Sequence, residues 1–87
     1  MELQECREKL DVIDKKIVEL FEERMAVSEE VARYKAEHGL PVLDESREKQ
    51  KLASVRSLVK EENNKEAAAQ LFEKIMELSR ARQEQII

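Results

Sequence analysis

The sequence is poor in the residues that interrupt helices or favour strands. Its 87 residues include one glycine, one proline, one tyrosine, two phenylalanines and no tryptophan. With so few helix breakers and so few aromatic residues, the composition gives little basis for a sheet. The single cysteine, Cys6, excludes a disulfide framework and a metal site built from several cysteines.

Basic patches and long apolar runs are missing as well. The formal net charge is −4, and no stretch rich in lysine or arginine is interleaved with aromatic residues, which argues against nucleic-acid binding. No apolar run approaches the roughly 20 residues that span a membrane, and Met1–Glu5 is acidic rather than an apolar signal segment. We therefore expect a cytoplasmic protein without membrane association.

The residues that are abundant favour long helices. Hydrophobic and charged residues each make up 41% of the chain, and the charged ones are mostly good helix formers. Gly39 and Pro41 interrupt the first helical segment, Asp44 is a suitable N-cap for the second, and Asn63-Asn64 marks another break. The pattern predicts one all-α domain over residues 1–87, with helices near 4–37, 44–62 and 65–86.

The first predicted helix is too long for the rest of the chain to cover. About 34 residues at 1.5 Å per residue extend roughly 50 Å, whereas a compact domain of this length has a radius of gyration of about 12 Å. Its apolar stripe runs nearly from end to end, through Leu3, Leu10, Ile13, Ile17, Leu20, Val27 and Val31. A second copy, packed antiparallel about a two-fold axis, is the simplest cover. We therefore expect a homodimer.

Polar residues interrupt the apolar stripes of all three predicted helices. At about 100° per residue, Arg24 lies among the apolar positions of the first helix and Lys35 continues the same stripe. Glu48 heads an apolar row in the second helix, and Ser79 and Gln83 continue one in the third. A buried charge is costly unless it is paired or bound to something. These positions predict a polar cavity between the helices that accepts an anion.

Arg24 and Lys35 are spaced to hold one small ligand. Eleven residues of helix correspond to about 20° in azimuth and roughly 16 Å in rise, so their long side chains can converge on a dianion. Arg7 lies roughly 25 Å from Arg24 along the same helix, too far to reach that ligand within one chain. In an antiparallel dimer, Arg7 of one subunit approaches Arg24 of the other. This predicts two identical sites that share residues.

Each of these positions also has a purely structural explanation. An arginine on an apolar stripe can extend to solvent or pair with a glutamate, and Lys35 and Glu48 can stabilise helix ends. Ser79 and Gln83 can satisfy neighbouring polar groups. Their coincidence on the inner faces of three helices favours a ligand site. Around the single histidine, His38, no metal site or catalytic triad can be assembled, so we expect neither a metal nor a cofactor.

The same residues carry a family resemblance over nearly the whole chain. The matching segments are Cys6–Leu10 with Ile13-Asp14, Glu23-Arg24, Tyr34-Lys35, Pro41–Glu48, and Ser79 with Gln83. No segment is specific alone, but their order, spacing and placement on three helices are specific together. With them the chain resembles the all-helical, AroQ-type chorismate mutases, which convert chorismate to prephenate by a Claisen rearrangement.

The resemblance implies how the substrate carboxylates would be bound. Arg7 of the partner subunit, Arg24 and Arg47 would hold the two carboxylates of chorismate. Ser79 would assist at one of them. The fold it implies is an intertwined six-helix homodimer with two sites and no cofactor.

The resemblance also implies contacts to the reacting part of chorismate. Lys35 would contact the ether oxygen and a carboxylate, and Gln83 would donate a hydrogen bond to the same ether oxygen. Glu48 would accept from the ring hydroxyl, with the backbone of Asp44 nearby. Lys35, Gln83 and Arg24 would thus be the catalytic residues.

Two other interpretations stay open. Isochorismate-pyruvate lyases use a related scaffold and a similar cationic pocket, and a helical dimerisation module can use inward polar residues only to fix its register. The family also includes domains fused to other enzymes of phenylalanine and tyrosine biosynthesis, and the sequence is compatible with either arrangement. Arg80 departs from the family pattern, in which a less polar residue often follows Ser79.

Overall fold

Three α-helices account for nearly all of the described chain. The computed structural model describes residues 2–86, so Met1 and Ile87, the ends of the predicted domain, lie outside it. Helix α1 spans Leu3–Glu37, α2 spans Glu45–Leu58 and α3 spans Lys65–Ile86, with a 3₁₀ turn at Glu62–Asn64. Residues 2–86 contain no strand, which confirms the predicted all-α class and three-helix order.

The connection between α1 and α2 is closed by two caps that the sequence predicts. Gly39 has a φ of 65°, the left-handed conformation that ends many helices and that glycine adopts without steric cost. The backbone N–H of Leu40 then donates to the Lys35 carbonyl at 2.8 Å. Asp44 precedes α2, and its Oδ1 accepts from the backbone N–H of Arg47 at 3.0 Å. The caps therefore fix where each helix ends and begins.

Helix α2 is shorter than its predicted span of 44–62. It ends at Leu58, and Val59 is extended, with φ −75° and ψ 126°. A β-branched side chain is restricted in a helix and suits an extended backbone, so the helix is easily left at Val59. The side chain of Val59 nevertheless stays half-buried. The predicted break at Asn63-Asn64 falls within the 3₁₀ turn that leads into α3.

Helix α3 packs against both α1 and α2 and supplies most of the contact between elements. The buried apolar side chains among residues 2–86 are those of Ala32, Val55, Ala69 and Met76. This is a small core, since two of the four are alanines. The radius of gyration is 15.9 Å, well above the value of about 12 Å for a compact chain of this length.

The amino-terminal half of α1 projects beyond this packing. All side chains from 7 to 20 are exposed, and the exposed fraction is 49% for Ile13, 55% for Ile17 and 64% for Leu20. The longest dimension of the chain is 54 Å, close to the predicted length of α1. Contiguous exposed apolar side chains are typical of an interaction surface.

An ion pair ties the end of α2 to the start of α3. Arg56 donates from Nε to Glu66 Oε1 at 3.0 Å and from Nη2 to Oε2 at 3.3 Å. These hydrogen bonds and the charge of Arg56 hold the pKa of Glu66 below its ordinary value of 4.5. A carboxyl with a lowered pKa stabilises the fold above its ordinary pKa, and the contribution is lost as the pH falls through the lowered value.

The variant Glu66→Gln is therefore expected to have a slightly lower Tm than the unaltered chain at about pH 7. The difference should be small because the pair is solvent-exposed, and it should vanish at about pH 2, where both chains carry a neutral side chain. Thermal unfolding followed by circular dichroism at the two pH values measures it. An equal difference at both would contradict the role assigned to the ion pair.

Candidate functional site

A cavity of about 330 Å³ opens between the three helices. That volume lies in the range of small-molecule sites. Five cationic side chains and two carboxylates line it, a formal surplus of three positive charges on a chain whose net charge is −4. The cavity thus concentrates positive charge on an otherwise acidic protein, which favours an anionic ligand.

Helix α1 forms one wall of the cavity. The lining side chains follow the i, i+3, i+4, i+7, i+11 pattern of one helix face: Arg24, Val27, Ser28, Val31 and Lys35. Arg24 and Lys35 are half-buried and Ser28 is buried. The wall therefore has a cation toward each end, with apolar and hydroxyl groups between them.

The connection after α1 and the first turns of α2 form a second wall. Val42 and Asp44 line it from the connection, and Arg47, Glu48 and Lys51 line it from α2. The cap at Asp44 sets the start of α2 and so decides which α2 side chains face the cavity. Arg47 is exposed at the edge, whereas Glu48 and Lys51 are half-buried. This wall offers both hydrogen-bond donors and carboxylate acceptors.

Helix α3 closes the cavity with Met76, Ser79, Arg80 and Gln83. Ser79 and Gln83 are each only 7% exposed, which confirms that the third helix turns these polar residues inward. Ser79 Oγ accepts from Arg24 Nη1 at 3.1 Å, and its hydroxyl faces the sulfur of Met25 at 3.8 Å. The serine thereby holds the Arg24 guanidinium against α3.

Lys35 and Gln83 form a short polar chain across the cavity. Lys35 Nζ donates to the Val42 carbonyl at 2.7 Å and to Gln83 Oε1 at 3.5 Å. Gln83 Nε2 donates to the Ser28 hydroxyl at 2.9 Å, a contact between two buried residues. An ammonium has three N–H donors and an amide nitrogen has two. Each side chain therefore keeps one N–H for a ligand oxygen.

Seven of the eight residues predicted to bind substrate line this cavity. They come from all three helices and the first connection: Arg24, Lys35, Asp44, Arg47, Glu48, Ser79 and Gln83. The eighth, Arg7, is exposed on the projecting half of α1 and does not line the cavity. This agrees with the expectation that Arg7 cannot reach the ligand of its own chain.

Sequence reasoning missed Ser28 and Lys51. Ser28 lies four residues after Arg24 and Lys51 three after Glu48, so helical spacing alone places both on the faces already assigned to the site. Neither residue stands out in the sequence as a polar interruption of an apolar helix face. Their roles depend on how the helices pack against each other.

The described residues offer neither a metal-binding cluster nor a membrane-spanning helix. Within residues 2–86, no three or more histidine, cysteine, aspartate or glutamate side chains cluster closely enough to hold a metal ion. None of the described helices combines the length and the apolar character needed to cross a membrane.

The fold and the cavity define a class of protein: an all-helical chain whose helices converge on a cavity with a surplus of cationic side chains. The family model described as chorismate mutase type II matches residues 6–84. A chorismate mutase of Methanocaldococcus jannaschii is 36% identical over 86 residues, which cover 98% of this chain and 87% of that relative. No solved structure matches the chain at a comparable level of significance. The chain belongs to the chorismate mutase type II family, and it is an isomerase.

Proposed function

We propose that the cavity binds chorismate and converts it to prephenate, with residues 1–87 acting as one domain. The observation that carries the proposal is the convergence of seven predicted residues on a cavity of suitable size and charge. Their donors and acceptors match a substrate with two carboxylates, an ether oxygen and a hydroxyl.

Arginine side chains hold the two carboxylates of the substrate. Arg24 and Arg47 lie on opposite walls of the cavity, and each guanidinium can bind a carboxylate through two parallel hydrogen bonds. Ser79 accepts from Arg24 at 3.1 Å and so reduces the conformations that this long side chain samples before binding. Less entropy is then lost when substrate binds.

The rearrangement itself needs no proton transfer and no covalent intermediate. It is unimolecular, and chorismate must only be held with its enolpyruvyl arm folded over the ring. Fixing both carboxylates selects that compact conformer. Part of the conformational entropy that the reaction must lose is then already lost when the substrate binds. Glu48, which accepts from the ring hydroxyl beside the backbone of Asp44, fixes the ring in the same orientation.

Lys35 and Gln83 stabilise the transition state at the ether oxygen. As the C–O bond breaks, partial negative charge develops on this oxygen, and the two side chains each have one N–H to offer it. Lys35 Nζ lies 3.5 Å from Oε1 of the Gln83 amide, so the ammonium and the amide are immediate neighbours in the cavity. Ser28 fixes the amide of Gln83 from behind at 2.9 Å. Donors oriented in advance stabilise the developing charge more than the ground state.

Two chains, in this proposal, pair antiparallel through the projecting halves of α1 into an intertwined six-helix homodimer. The exposed stripe that includes Ile13, Ile17 and Leu20 needs a cover, and the chain alone has a small core. Pairing would bring Arg7 of the partner subunit to Arg24 and complete the set that binds the carboxylates. Each of two sites would then contain residues of both subunits.

Incubation of the purified protein with chorismate and, separately, with isochorismate tests the activity. We expect saturable loss of the chorismate diene absorbance, with prephenate identified by its acid conversion to phenylpyruvate. Conversion of isochorismate to salicylate and pyruvate, without reaction of chorismate, would instead identify a lyase. A well-folded dimer inert toward both compounds would contradict an enzymatic role for the cavity and leave a dimerisation module.

A further inference from the structure

Arg80 and Glu48 form an ion pair inside the wall of the cavity. Arg80 Nη1 on α3 donates to Glu48 Oε1 on α2 at 2.5 Å. The exposed fractions of the two side chains are 31% and 26%, and both line the cavity. The pair is therefore part of the site rather than of the solvated surface.

Neighbouring residues of α3 thus contact opposite walls of the cavity. Ser79 accepts from Arg24 on α1, whereas Arg80 donates to Glu48 on α2. Because the two residues are adjacent in one helix, the contact of Ser79 with Arg24 also anchors the helix backbone at Arg80. Arg80 in turn restricts the carboxylate of Glu48.

A carboxylate in this cavity needs such a partner. The ligand proposed above carries two negative charges, and a second, uncompensated carboxylate beside it would weaken binding by repulsion. An arginine on Oε1 cancels that charge. A carboxylate can accept hydrogen bonds at both oxygens, so Oε2 is left for the substrate hydroxyl.

We propose that Arg80 is a positioning residue of this site, which holds the Glu48 carboxylate toward the substrate hydroxyl and cancels its charge against the dianion. The inference rests on the proposed function, because it takes the hydroxyl and the two carboxylates of chorismate as the ligand groups. Arg80 itself does not contact the reacting atoms. Its effect therefore passes through Glu48 and appears mainly in substrate binding.

The variant Arg80→Ala is expected to raise KM for chorismate about tenfold and to change kcat less than about threefold. Arg82→Ala is the matched control, because Arg82 also joins α3 to another helix through a glutamate, Glu29 on α1, but lies outside the cavity. Thermal unfolding of both variants measures the cost of losing an ion pair between helices. Equal kinetic effects of the two substitutions would overturn the proposal, since a structural role alone would then explain them.

A double-mutant cycle with Glu48→Gln distinguishes two explanations for an effect of Arg80. Arg80 either positions the Glu48 carboxylate or attracts the anionic substrate directly as one more cation. If Arg80 acts through the carboxylate, Arg80→Ala should raise KM much less in the Glu48→Gln background than in the unaltered chain. The same rise in both backgrounds would overturn the proposal. Failure of the unaltered protein to convert chorismate would overturn the proposed function and this inference together, and that result is read before any variant is made.

Discussion

Replacement of Lys35 by alanine is expected to lower kcat for chorismate by at least about a hundredfold. Lys35 Nζ is oriented by the Val42 carbonyl at 2.7 Å and by Gln83 at 3.5 Å. Its remaining N–H is the cationic donor that we assign to the ether oxygen, where charge develops only in the transition state. A group that acts there changes kcat more than KM. Steady-state kinetics of the purified variant measure both constants.

Lys51→Ala is the matched control for this prediction. Lys51 is also half-buried at the cavity but lies on α2, and the structure shows no hydrogen bond from it to Gln83. If the cavity needed only positive charge, the two substitutions would reduce turnover alike. We expect Lys51→Ala to retain most of its kcat, and circular dichroism should show both variants to be helical. Similar losses of kcat would contradict the specific role of Lys35.

We expect turnover by the unaltered chain to be insensitive to pH near neutrality, and replacement of Gln83 by glutamate to make it strongly pH-dependent. The amide of Gln83 donates without titrating, whereas a carboxyl donates only while it is protonated. At about pH 8 the new carboxylate would face the developing negative charge, and kcat should fall by at least about a hundredfold. Activity should then rise as the pH is lowered, by up to about tenfold per pH unit, until the carboxyl is protonated.

The pH profile of kcat between about pH 5 and 9 measures this effect. Gln85→Glu is the control, since Gln85 is an exposed glutamine near the same end of α3 and the substitution adds the same charge. That variant should keep the flat profile of the unaltered chain. A flat profile for Gln83→Glu would contradict the assignment of Gln83 to the ether oxygen.

Local sequence signals account for most of the fold. Helical periodicity and the near absence of breakers predicted α1 and α3, and the two caps followed from Gly39 and Asp44, whose preferences are set by their own backbone and side-chain chemistry. The end of α2 was wrong by four residues. No strong breaker stands at Val59, and a valine is compatible with either conformation until the path to α3 is known.

The site was predictable to the extent that helix geometry decides which side chains point inward. Arg24, Ser79 and Gln83 were identified because a polar group on an apolar face is conspicuous, and the structure places all three at the cavity. The contacts Ser28–Gln83 and Arg80–Glu48 join residues of different helices. Such pairs depend on the relative rotation and height of the packed helices, which no local pattern in a single sequence specifies.

The central claim is that each site takes Arg7 from one chain and Arg24 from the other. Mixing Arg7→Ala subunits with Arg24→Ala subunits tests this claim most directly. Each variant alone should be nearly inactive. In a fully exchanged equal mixture, half of the dimers are mixed and each has one complete site, so about a quarter of all sites should regain activity. No recovery in mixtures whose subunit exchange is verified by mass spectrometry would contradict the shared site.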